Sequence, residues 1–262
     1  MGHETTTSCV TADPPGVLTV SVVSHGHDAW LLGLVTQLAS TGMGVIAHVV
    51  VTHNIPGSLV PEPTTGWPFR VTQVTNTSPA GFGTNHNRAF ALAHTPLFCV
   101  LNPDMSLPDS GLWPCLVAAA QEPGVGCVFP ALANTDGSVQ DSARALLTPW
   151  ALFRRRVLRQ PEARMDWVSA AFWVVPSAVF ARMGGFDERY FMYCEDADFC
   201  LRLQLGGWRL VGVPARAVHH AQRDSHRNWR HLMWHLQSLW RIWRSPITRE
   251  YRKMRAVMVP LK

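Results

Sequence analysis

The stretch FMYCEDADFC, residues 191–200, places the carboxylates Glu195, Asp196 and Asp198 directly after aromatic and sulfur-containing side chains. A charged group beside apolar surface is costly unless it is paired, binds a metal or does chemistry. Acidic residues also suit the first turn of a helix, where they complement the macrodipole and accept hydrogen bonds from free N–H groups. The stretch alone therefore indicates either a helix start or a catalytic carboxylate, and the elements around it must decide.

Strands and helices alternate along the first hundred residues. We predict strands over 17–24, 45–53, 71–75 and 96–102, and helices over 29–40 and 87–94. Such alternation is typical of a mostly parallel sheet with helices on both faces, in which ligands bind outside the carboxyl ends of the strands. Polar residues lie at or just after these predicted strand ends, namely His25, His27, His53, Asn54, Asn102 and Asp104.

Two further segments resemble parts of a ligand site only weakly. In PAGFGTNHNR (79–88), Gly83 and Asn87 come close to a predicted helix, but neither GxGxxG nor GxxxxGK is present, so a turn with a capped helix explains the pattern equally well. In LNPDM (101–105), Asp104 follows a buried strand within a proline-containing turn, where aspartate is common for structural reasons.

Taken together, these segments resemble the family 2 glycosyltransferases of GT-A fold, and the rhamnosyltransferase-type members above all. The resemblance runs in order from residue 17 to about residue 225, and GGFDE (184–188), EDAD (195–198) and the HH pair at 219–220 carry most of it. Two motifs depart from the family pattern: His53-Asn54 replaces a frequent Asp-Asn pair, and Asn102-Pro103-Asp104 replaces Asp-x-Asp.

The resemblance implies an inverting transfer of a sugar from a nucleotide diphosphate donor. Asp196 would be the catalytic base, with Glu195 beside it as the alternative, while Asp198 would cap or orient. Asp104 and His220 would hold Mn²⁺ or Mg²⁺ against the diphosphate, with His219 as the alternative ligand. The donor nucleotide would lie near His25, His27, His53, Asn54, Gly83, Asn87 and Asn102, and the acceptor near Asp187 and Glu188.

Composition places limits on the setting of this activity. The six cysteines show no CxxC spacing and mostly lie among apolar neighbours, which predicts buried thiols in a reducing, cytoplasmic compartment. The net charge of +5 includes basic clusters at 154–164 and after Arg223, which suit a diphosphate or an anionic membrane surface. No nucleic-acid-binding motif accompanies them, so we expect no nucleic acid partner.

The C-terminal segment NWRHLMWHLQSLWRIWR (228–244) repeats apolar residues at intervals of three and four, with arginines between them. This pattern indicates an amphipathic helix that either docks on its own domain or lies at the inner face of the cytoplasmic membrane, where a lipid-linked acceptor would be met. We therefore divide the chain into a flexible N-terminus (1–16), a single GT-A domain (17–225) and a basic, tryptophan-rich helical extension (226–262).

The predicted function is transfer of a sugar, with rhamnose from dTDP-rhamnose as the leading donor, to a hydroxyl of a growing surface polysaccharide or lipid-linked glycan. The alternatives are a nucleotidyltransferase of similar sheet architecture and a catalytically inactive paralogue that binds sugar nucleotides. The sequence leaves the oligomeric state open.

Overall fold

The computed structural model describes residues 4–7, 16–57, 59–108, 111–146, 148, 153, 158, 164–220 and 229–258. The strands are β1 (Glu4–Thr7), β2 (Leu18–Ser24), β3 (Ile46–His53), β4 (Arg70–Thr75), β5 (Leu97–Leu101), β6 (Met105–Ser106), β7 (Val125–Ala133), β8 (Ala143–Arg144), β9 (Trp167–Val168), β10 (Phe172–Pro176) and β11 (Arg209–His219). The helices are α1 (Asp28–Thr41), α2 (Phe82–Phe90), α3 (Leu112–Ala120), α4 (Ser177–Arg182), α5 (Glu195–Leu205), α6 (Trp229–Arg244) and α7 (Pro246–Met258).

Nine of the described strands form one sheet in the order β1-β4-β3-β2-β5-β10-β7-β11-β6. Strands β4, β3, β2 and β5 run parallel. The chain builds outward from β2 to β4 and then returns to place β5 on the other side of β2. The order of the strands therefore reverses beside β2, and ligands of open α/β sheets bind at such a point, outside the carboxyl ends of the strands.

An antiparallel strand brings a second part of the chain to this edge. Strand β10 pairs antiparallel with β5, with Phe172 opposite Leu101, so the residues that precede β10 lie beside those that follow β5. The N–H of Asn102 donates to the carbonyl of Ala171 at 2.9 Å, which extends the pairing past the end of β5. On its other edge β10 pairs with β7, and β7 pairs in parallel with β11.

Helices cover both faces of the sheet. One apolar cluster packs α1 and α3 against β2, β3 and β5, through residues such as Leu34, Leu38 and Trp113. The other packs α4, α5 and α6 on the opposite face, around Trp173, Phe180, Phe186 and Phe199. Burying a large apolar side chain contributes about 1.5–3 kcal/mol, so these two layers hold the strand ends in place. The predicted α/β architecture, a mostly parallel sheet with helices on both faces, is confirmed.

The predicted strands lie within one residue of the observed ones, but the predicted helix over 87–94 is displaced. Helix α2 spans Phe82–Phe90, because Asn85 and Asn87 use their side chains on neighbouring loops and do not compete with the helix backbone. In the segment 1–16, Glu4–Thr7 form an edge strand antiparallel to β4, and residues 1–3 and 8–15 lie outside the described residues. Among the described helices, none has the length and apolarity needed to cross a membrane.

Candidate active site

Asp104 lies in the turn between β5 and β6, at the carboxyl edge of the sheet. It is buried, and its Oδ1 lies 3.3 Å from Nε2 of His219. Burial would raise the pKa of Asp104, but the hydrogen bond and charge of His219, together with smaller effects that include His27, lower it below its ordinary value. Asp104 is therefore a carboxylate that stays ionised although it is enclosed.

Of the two neighbouring histidines, His219 faces Asp104 and His220 does not. Nδ1 of His219 lies 2.7 Å from the amide oxygen of Gln140 and donates its proton there, and Nε2 is the ring nitrogen that lies toward Asp104. Nε2 of His220 hydrogen-bonds Oγ of Ser106 at 2.7 Å, and its ring packs 4.7 Å from the ring of Trp30. The sequence-based choice of His220 as the ligand thus falls on a side chain with other partners, and His219 has the suitable position.

The residues present fit a divalent cation that also binds a diphosphate. Asp104 offers an anionic oxygen and His219 the ring nitrogen Nε2, which face each other, and Nδ2 of Asn102 lies 3.4 Å from the same nitrogen. In the described part of the chain, no three His, Cys, Asp or Glu residues form a complete metal cage. Mg²⁺ and Mn²⁺ commonly take only one or two protein ligands when substrate phosphates supply the others.

Polar residues at the ends of β2, β3 and β4 form a connected network. Oδ1 of Asn54 accepts hydrogen bonds from Nδ2 of Asn76 at 2.9 Å and from the N–H of Ala80 at 2.8 Å. Nδ2 of Asn54 lies 3.2 Å from Nδ1 of His25, and Asn76 also bonds Asn85 of α2 at 2.7 Å. Asn76 was not among the residues predicted from the sequence, although it follows β4 just as Asn54 follows β3.

The histidines at this edge differ in exposure. His25 is exposed at the end of β2, and its N–H donates to Nδ1 of His27 at 3.0 Å. Burial, then the charges of His27 and His231, lower the pKa of His25, so this imidazole is neutral near pH 7. His53 is buried, with Nε2 3.1 Å from the side-chain oxygen of Gln73, and its Nδ1 has no hydrogen-bond partner in the part of the chain that the structure describes.

Glu195 and Asp196 open helix α5, as the helix interpretation of their sequence predicts. Glu195 is buried, and its Oε2 has no hydrogen-bond partner among the described residues. Oδ1 of Asp196 accepts the N–H of Ala197 at 2.8 Å. Both carboxylates face a positive helix end, which accommodates one negative charge well and two poorly.

The two carboxyl groups have raised pKa values for related reasons. Burial, and then the negative charge of Asp196, raise the pKa of Glu195 well above its ordinary value. Burial also raises the pKa of Asp196, but hydrogen bonds from the N–H groups of Ala197 and Ala170 and the charge of Arg144 act against it. Ionisation within the pair is therefore favoured on Asp196 over Glu195.

The backbone before this pair adopts an uncommon conformation. Tyr193 and Cys194 both have positive φ angles, 72° and 67°, and within the described chain they are the non-glycine residues that do so. Each such residue costs of order 1–3 kcal/mol and persists where the surroundings hold it, often at functional sites. Here the hydroxyl of Tyr193 hydrogen-bonds Nδ1 of His231 in α6 at 3.0 Å.

The predicted acceptor-side residues lie on the GGFDE turn between α4 and α5. Asp187 pairs with Arg189 at 2.6 Å, and this hydrogen bond lowers the pKa of Asp187 although burial opposes it. Glu188 is exposed and accepts a hydrogen bond from Asn87 at 3.0 Å. Asp198 pairs with Arg202 at 2.7 Å, and the same guanidinium bonds the carbonyls of Met183 and Gly185. Asp198 thus orients the turn, as expected from the sequence.

Two predicted donor-site residues have clear packing roles. A Cβ added to Gly83 would lie 2.6 Å from Cβ of Phe186, so this glycine permits close approach between α2 and the GGFDE turn. Asn87 accepts the N–H of Phe186 at 2.9 Å and donates to its carbonyl at 2.9 Å, which fixes that turn against α2. The basic residues Arg154, Arg155 and Arg156 lie outside the described residues.

Adjacent residues on one segment connect the two halves of the site. The N–H of Asn102, in the Asn-Pro-Asp turn, donates to the carbonyl of Ala171, and the N–H of Ala170 donates to the carboxylate of Asp196. The metal-site turn and the acidic pair are therefore anchored to neighbouring peptide groups just before β10. Arg144, which lies over the ring of Trp167 at 5.2 Å, adds a positive charge near Asp196. Arg144 belongs to a matched segment but was not singled out from the sequence.

Comparisons of the sequence with known proteins point to one class of enzyme. No protein-family model matches the chain. The N-acetylglucosaminyl-diphospho-decaprenol L-rhamnosyltransferase of Mycobacterium tuberculosis is 34% identical over 148 residues, which cover 49% of this chain and 48% of that protein. The rhamnosyltransferase WbbL of Escherichia coli is 47% identical over 79 residues, which cover 29% of this chain and 30% of that protein. The matched regions thus span at most about half the length of these relatives.

Solved structures agree in fold. The mannosyltransferase PcManGT from Pyrobaculum calidifontis, in complex with GDP-Man and Mn²⁺, superposes with a TM-score of 0.59 at 16% identity, covering 95% of this chain and 79% of that one. Glucosyl-3-phosphoglycerate synthase from Mycobacterium tuberculosis superposes with a TM-score of 0.58 at 12% identity, covering 86% and 79% of the two chains. The chain is thus similar in sequence to rhamnosyltransferases over part of its length, and it shares the α/β fold of these GT-A glycosyltransferases.

Proposed function

We propose that this chain is an inverting, metal-dependent glycosyltransferase that moves rhamnose from dTDP-rhamnose to a hydroxyl of a lipid-linked glycan or growing surface polysaccharide. The observation that carries the proposal is the attachment of Asn102 and Asp196 to the adjacent residues Ala171 and Ala170. It brings a carboxylate suited to act as a base next to a turn suited to hold a diphosphate. The similarity to named rhamnosyltransferases supports the choice of sugar.

The donor end of the site would be built on Asp104 and His219. These side chains would hold Mn²⁺ or Mg²⁺, which, when bound, neutralises charge that develops on the departing diphosphate. Asn102 would help to orient the same phosphates, while His25, His27, His53 and Asn54 would border the nucleotide at the ends of β2 and β3. Positioning the donor in this way fixes which face of the sugar is open to attack.

Asp196 would act on the acceptor at that open face. As the acceptor oxygen forms its bond to the anomeric carbon, the bond from that carbon to the diphosphate oxygen breaks, and Asp196 takes the hydroxyl proton. Attack opposite the leaving group inverts the anomeric configuration. Because the raised pKa of Glu195 favours its neutral form, Asp196 would be the ionised member of the pair. Asp187 and Glu188 would border the acceptor on the GGFDE turn.

The setting of the reaction follows from the acceptor. A glycan carried on a lipid is met at a membrane surface, so the proposal includes a cytoplasmic protein that binds peripherally to the inner face of the cytoplasmic membrane. The exposed apolar and basic residues of α6 and α7 support this part of the proposal. A nucleotidyltransferase is disfavoured, because it would need no acidic pair of this kind.

The test is a transfer assay with the purified chain. A panel of nucleotide sugars is incubated with an N-acetylglucosaminyl-diphospho-lipid, with Mn²⁺ or with excess chelator, and products are identified by mass spectrometry. We expect one added deoxyhexose with dTDP-rhamnose, lost in chelator and in Asp196→Asn. Transfer of a nucleotidyl group, or metal-dependent donor binding with no transfer to any acceptor, would overturn the proposal.

A further inference from the structure

A cavity of about 430 Å³ lies away from the acidic pair, where the loop after Asp187 meets the junction of α6 and α7. We call it the arginine cavity, because Arg189, Arg241 and Arg244 line it together with Tyr190, Trp240 and Ser245. None of these residues has a part in the proposed transfer of the sugar. The proposed sugar transfer therefore does not explain why three arginines converge on this cavity.

The guanidinium groups of the arginine cavity are held by aromatic rings. Arg241 lies over the ring of Tyr190 at 5.8 Å from its centroid, and Arg244 over the ring of Trp240 at 5.0 Å. Within the described chain neither pairs with a carboxylate, whereas Arg189 already binds Asp187. An arginine stacked on an aromatic ring keeps its N–H donors free at the edge of the planar guanidinium group. These donors match phosphate oxygens in geometry and charge.

The start of helix α7 adds to the positive potential. Ser245 and Pro246 line the arginine cavity, and Oγ of Ser245 caps the helix by accepting the N–H of Ile247 at 3.2 Å. The N-terminal end of a helix carries a partial positive charge that favours an anion. Two guanidinium groups that have no carboxylate partner among the described residues, together with a helix end, therefore converge on one cavity, which is a suitable environment for a phosphate group.

The outer face of α6 carries an exposed apolar stripe that reaches the arginine cavity. The α6 stripe consists of side chains at helical spacing with large exposed fractions: Trp229 70%, Leu232 57%, Met233 45%, Leu236 54% and Trp240 59%. Trp240 belongs to both features, since it lines the cavity and supports Arg244. A contiguous exposed apolar surface of this kind marks an interaction site.

We propose that the arginine cavity binds the phosphate of an anionic phospholipid headgroup while the α6 stripe inserts into the membrane interface. The phosphate layer and the acyl boundary are neighbours in a bilayer, as the cavity and the stripe are on this helix. Tyr190 lines the arginine cavity and lies on the loop that leads to Glu195, so a headgroup bound in the cavity holds the active site close to the membrane surface. This inference rests on the membrane contact included in the proposed function, but it uses residues outside the catalytic site and holds whatever sugar is transferred.

The test measures how the full chain partitions onto vesicles of phosphatidylcholine alone and of phosphatidylcholine mixed with phosphatidylglycerol. The double variant R241Q/R244Q removes both unpaired arginines of the cavity. Its matched control R249Q/R252Q removes the same charge from exposed positions of α7. We expect the cavity variant to bind the anionic vesicles on the order of tenfold more weakly and the control to lose clearly less. Equal losses would show diffuse charge attraction and overturn the cavity.

Further variants and a phosphate control distinguish the proposal from its alternatives. L232Q/L236Q should weaken binding to both kinds of vesicle without a change in melting temperature, because both leucines are exposed. If R241Q/R244Q does not fold, R241K/R244K keeps the charge but loses the planar donors, and unchanged vesicle binding would then contradict the proposal. Thermal stabilisation by inorganic phosphate without binding to anionic vesicles would overturn the lipid as the source. Donor hydrolysis should be unchanged in R241Q/R244Q, so failure here is distinct from failure of the proposed transfer.

Discussion

At the scale of single residues, the acidic pair shows how one charge can be assigned to one of two adjacent carboxyl groups. Asp196 accepts N–H groups from Ala197 and Ala170 and lies near Arg144, whereas Oε2 of Glu195 has no partner. Each hydrogen bond or positive charge stabilises the ionised form. The geometry thus favours a base at Asp196 and a neutral acid at Glu195, a distinction that the sequence ED could not provide.

The first prediction concerns turnover. Asp196→Asn should lower kcat on the order of a hundredfold or more while donor affinity stays near its normal value, because a general base acts in the transition state. Glu195→Gln is the matched control. It replaces a neutral carboxylic acid with a neutral amide, so its turnover should stay within about tenfold of the wild type. Both variants are measured by transfer kinetics and by calorimetric donor titration. The opposite ranking would assign the base to Glu195.

The second prediction concerns stability and pH. Since the pKa of Glu195 lies well above its ordinary 4.5, the folded chain holds this proton more tightly than the unfolded chain. The contribution of Glu195 to stability is therefore lost as pH rises from 4.5 through the raised pKa. In that window, the free energy of unfolding of Glu195→Gln relative to the wild type should therefore rise by up to about 1.4 kcal/mol per pH unit. Denaturant unfolding at several pH values measures it, with exposed Glu62→Gln as control. A gain that is independent of pH would contradict the prediction.

The third prediction concerns the cation. His219→Ala should weaken binding of Mn²⁺ with a nucleoside diphosphate by tenfold or more, on the order of the loss seen when support of a metal site is removed. His220→Ala should leave this binding intact, because its imidazole contacts Ser106 and Trp30. Titration calorimetry with both variants distinguishes the two histidines. Loss in His220→Ala alone would restore the sequence-based assignment.

At the scale of elements, periodicity and strand composition were sufficient to predict β2, β3, β4, β5 and α1. They were insufficient where tertiary contacts decide. The start of α2 depends on Asn85 and Asn87 finding partners in distant loops, and the choice between His219 and His220 depends on how β11 pairs with β6. Neither kind of contact leaves a local signal in the sequence.

The GGFDE turn provides the fourth prediction. Gly184 and Gly185 both have positive φ angles, 71° and 69°, but their surroundings differ. A Cβ on Gly184 meets no atom within 4 Å, whereas one on Gly185 would collide with the side-chain oxygen of Asn87. Gly184→Ala should therefore cost about 1–2 kcal/mol of backbone strain, and Gly185→Ala clearly more. Denaturant unfolding compares them, and equal losses would show that Asn87 yields without cost.

At the scale of the whole molecule, helix α6 resolves the two interpretations that its sequence left open, because it presents two different faces. Ser238, Leu239 and Ile242 are buried on the domain, and Oγ of Ser238 donates to the carbonyl of Met192 at 2.8 Å. The side chains of the α6 stripe, which the sequence analysis grouped with Leu239, point away from the domain. The apolar periodicity of the sequence includes the residues of both surfaces. Which of them are buried depends on how the helix is rotated against the domain.

Helix α7 completes the same cover. Tyr251 is fully buried, and its hydroxyl donates to the carboxylate of Asp166 at 2.9 Å. Asp166 is itself buried, and it also pairs with Arg164 at 3.0 Å and accepts the N–H of Leu146 at 2.8 Å. Removal of α7 would leave this carboxylate without one of its buried donors, which is a costly change. The helical extension after residue 225 is therefore part of the folded domain in energetic terms.

The last prediction is that a chain truncated after Ser225 does not fold stably. The truncation removes Leu239, Ile242 and Tyr251 from the apolar interior, and deleting even one such side chain commonly costs about 2–5 kcal/mol against a total stability of about 5–15 kcal/mol. We expect aggregation, or a melting temperature lowered beyond the range of the single variants, in soluble-fraction and circular dichroism measurements. Deletion after Met258 is the control, because it keeps all three side chains. A truncated chain that melts like the full one would show that α6 and α7 lie on an already complete domain, and would leave membrane contact as their main role.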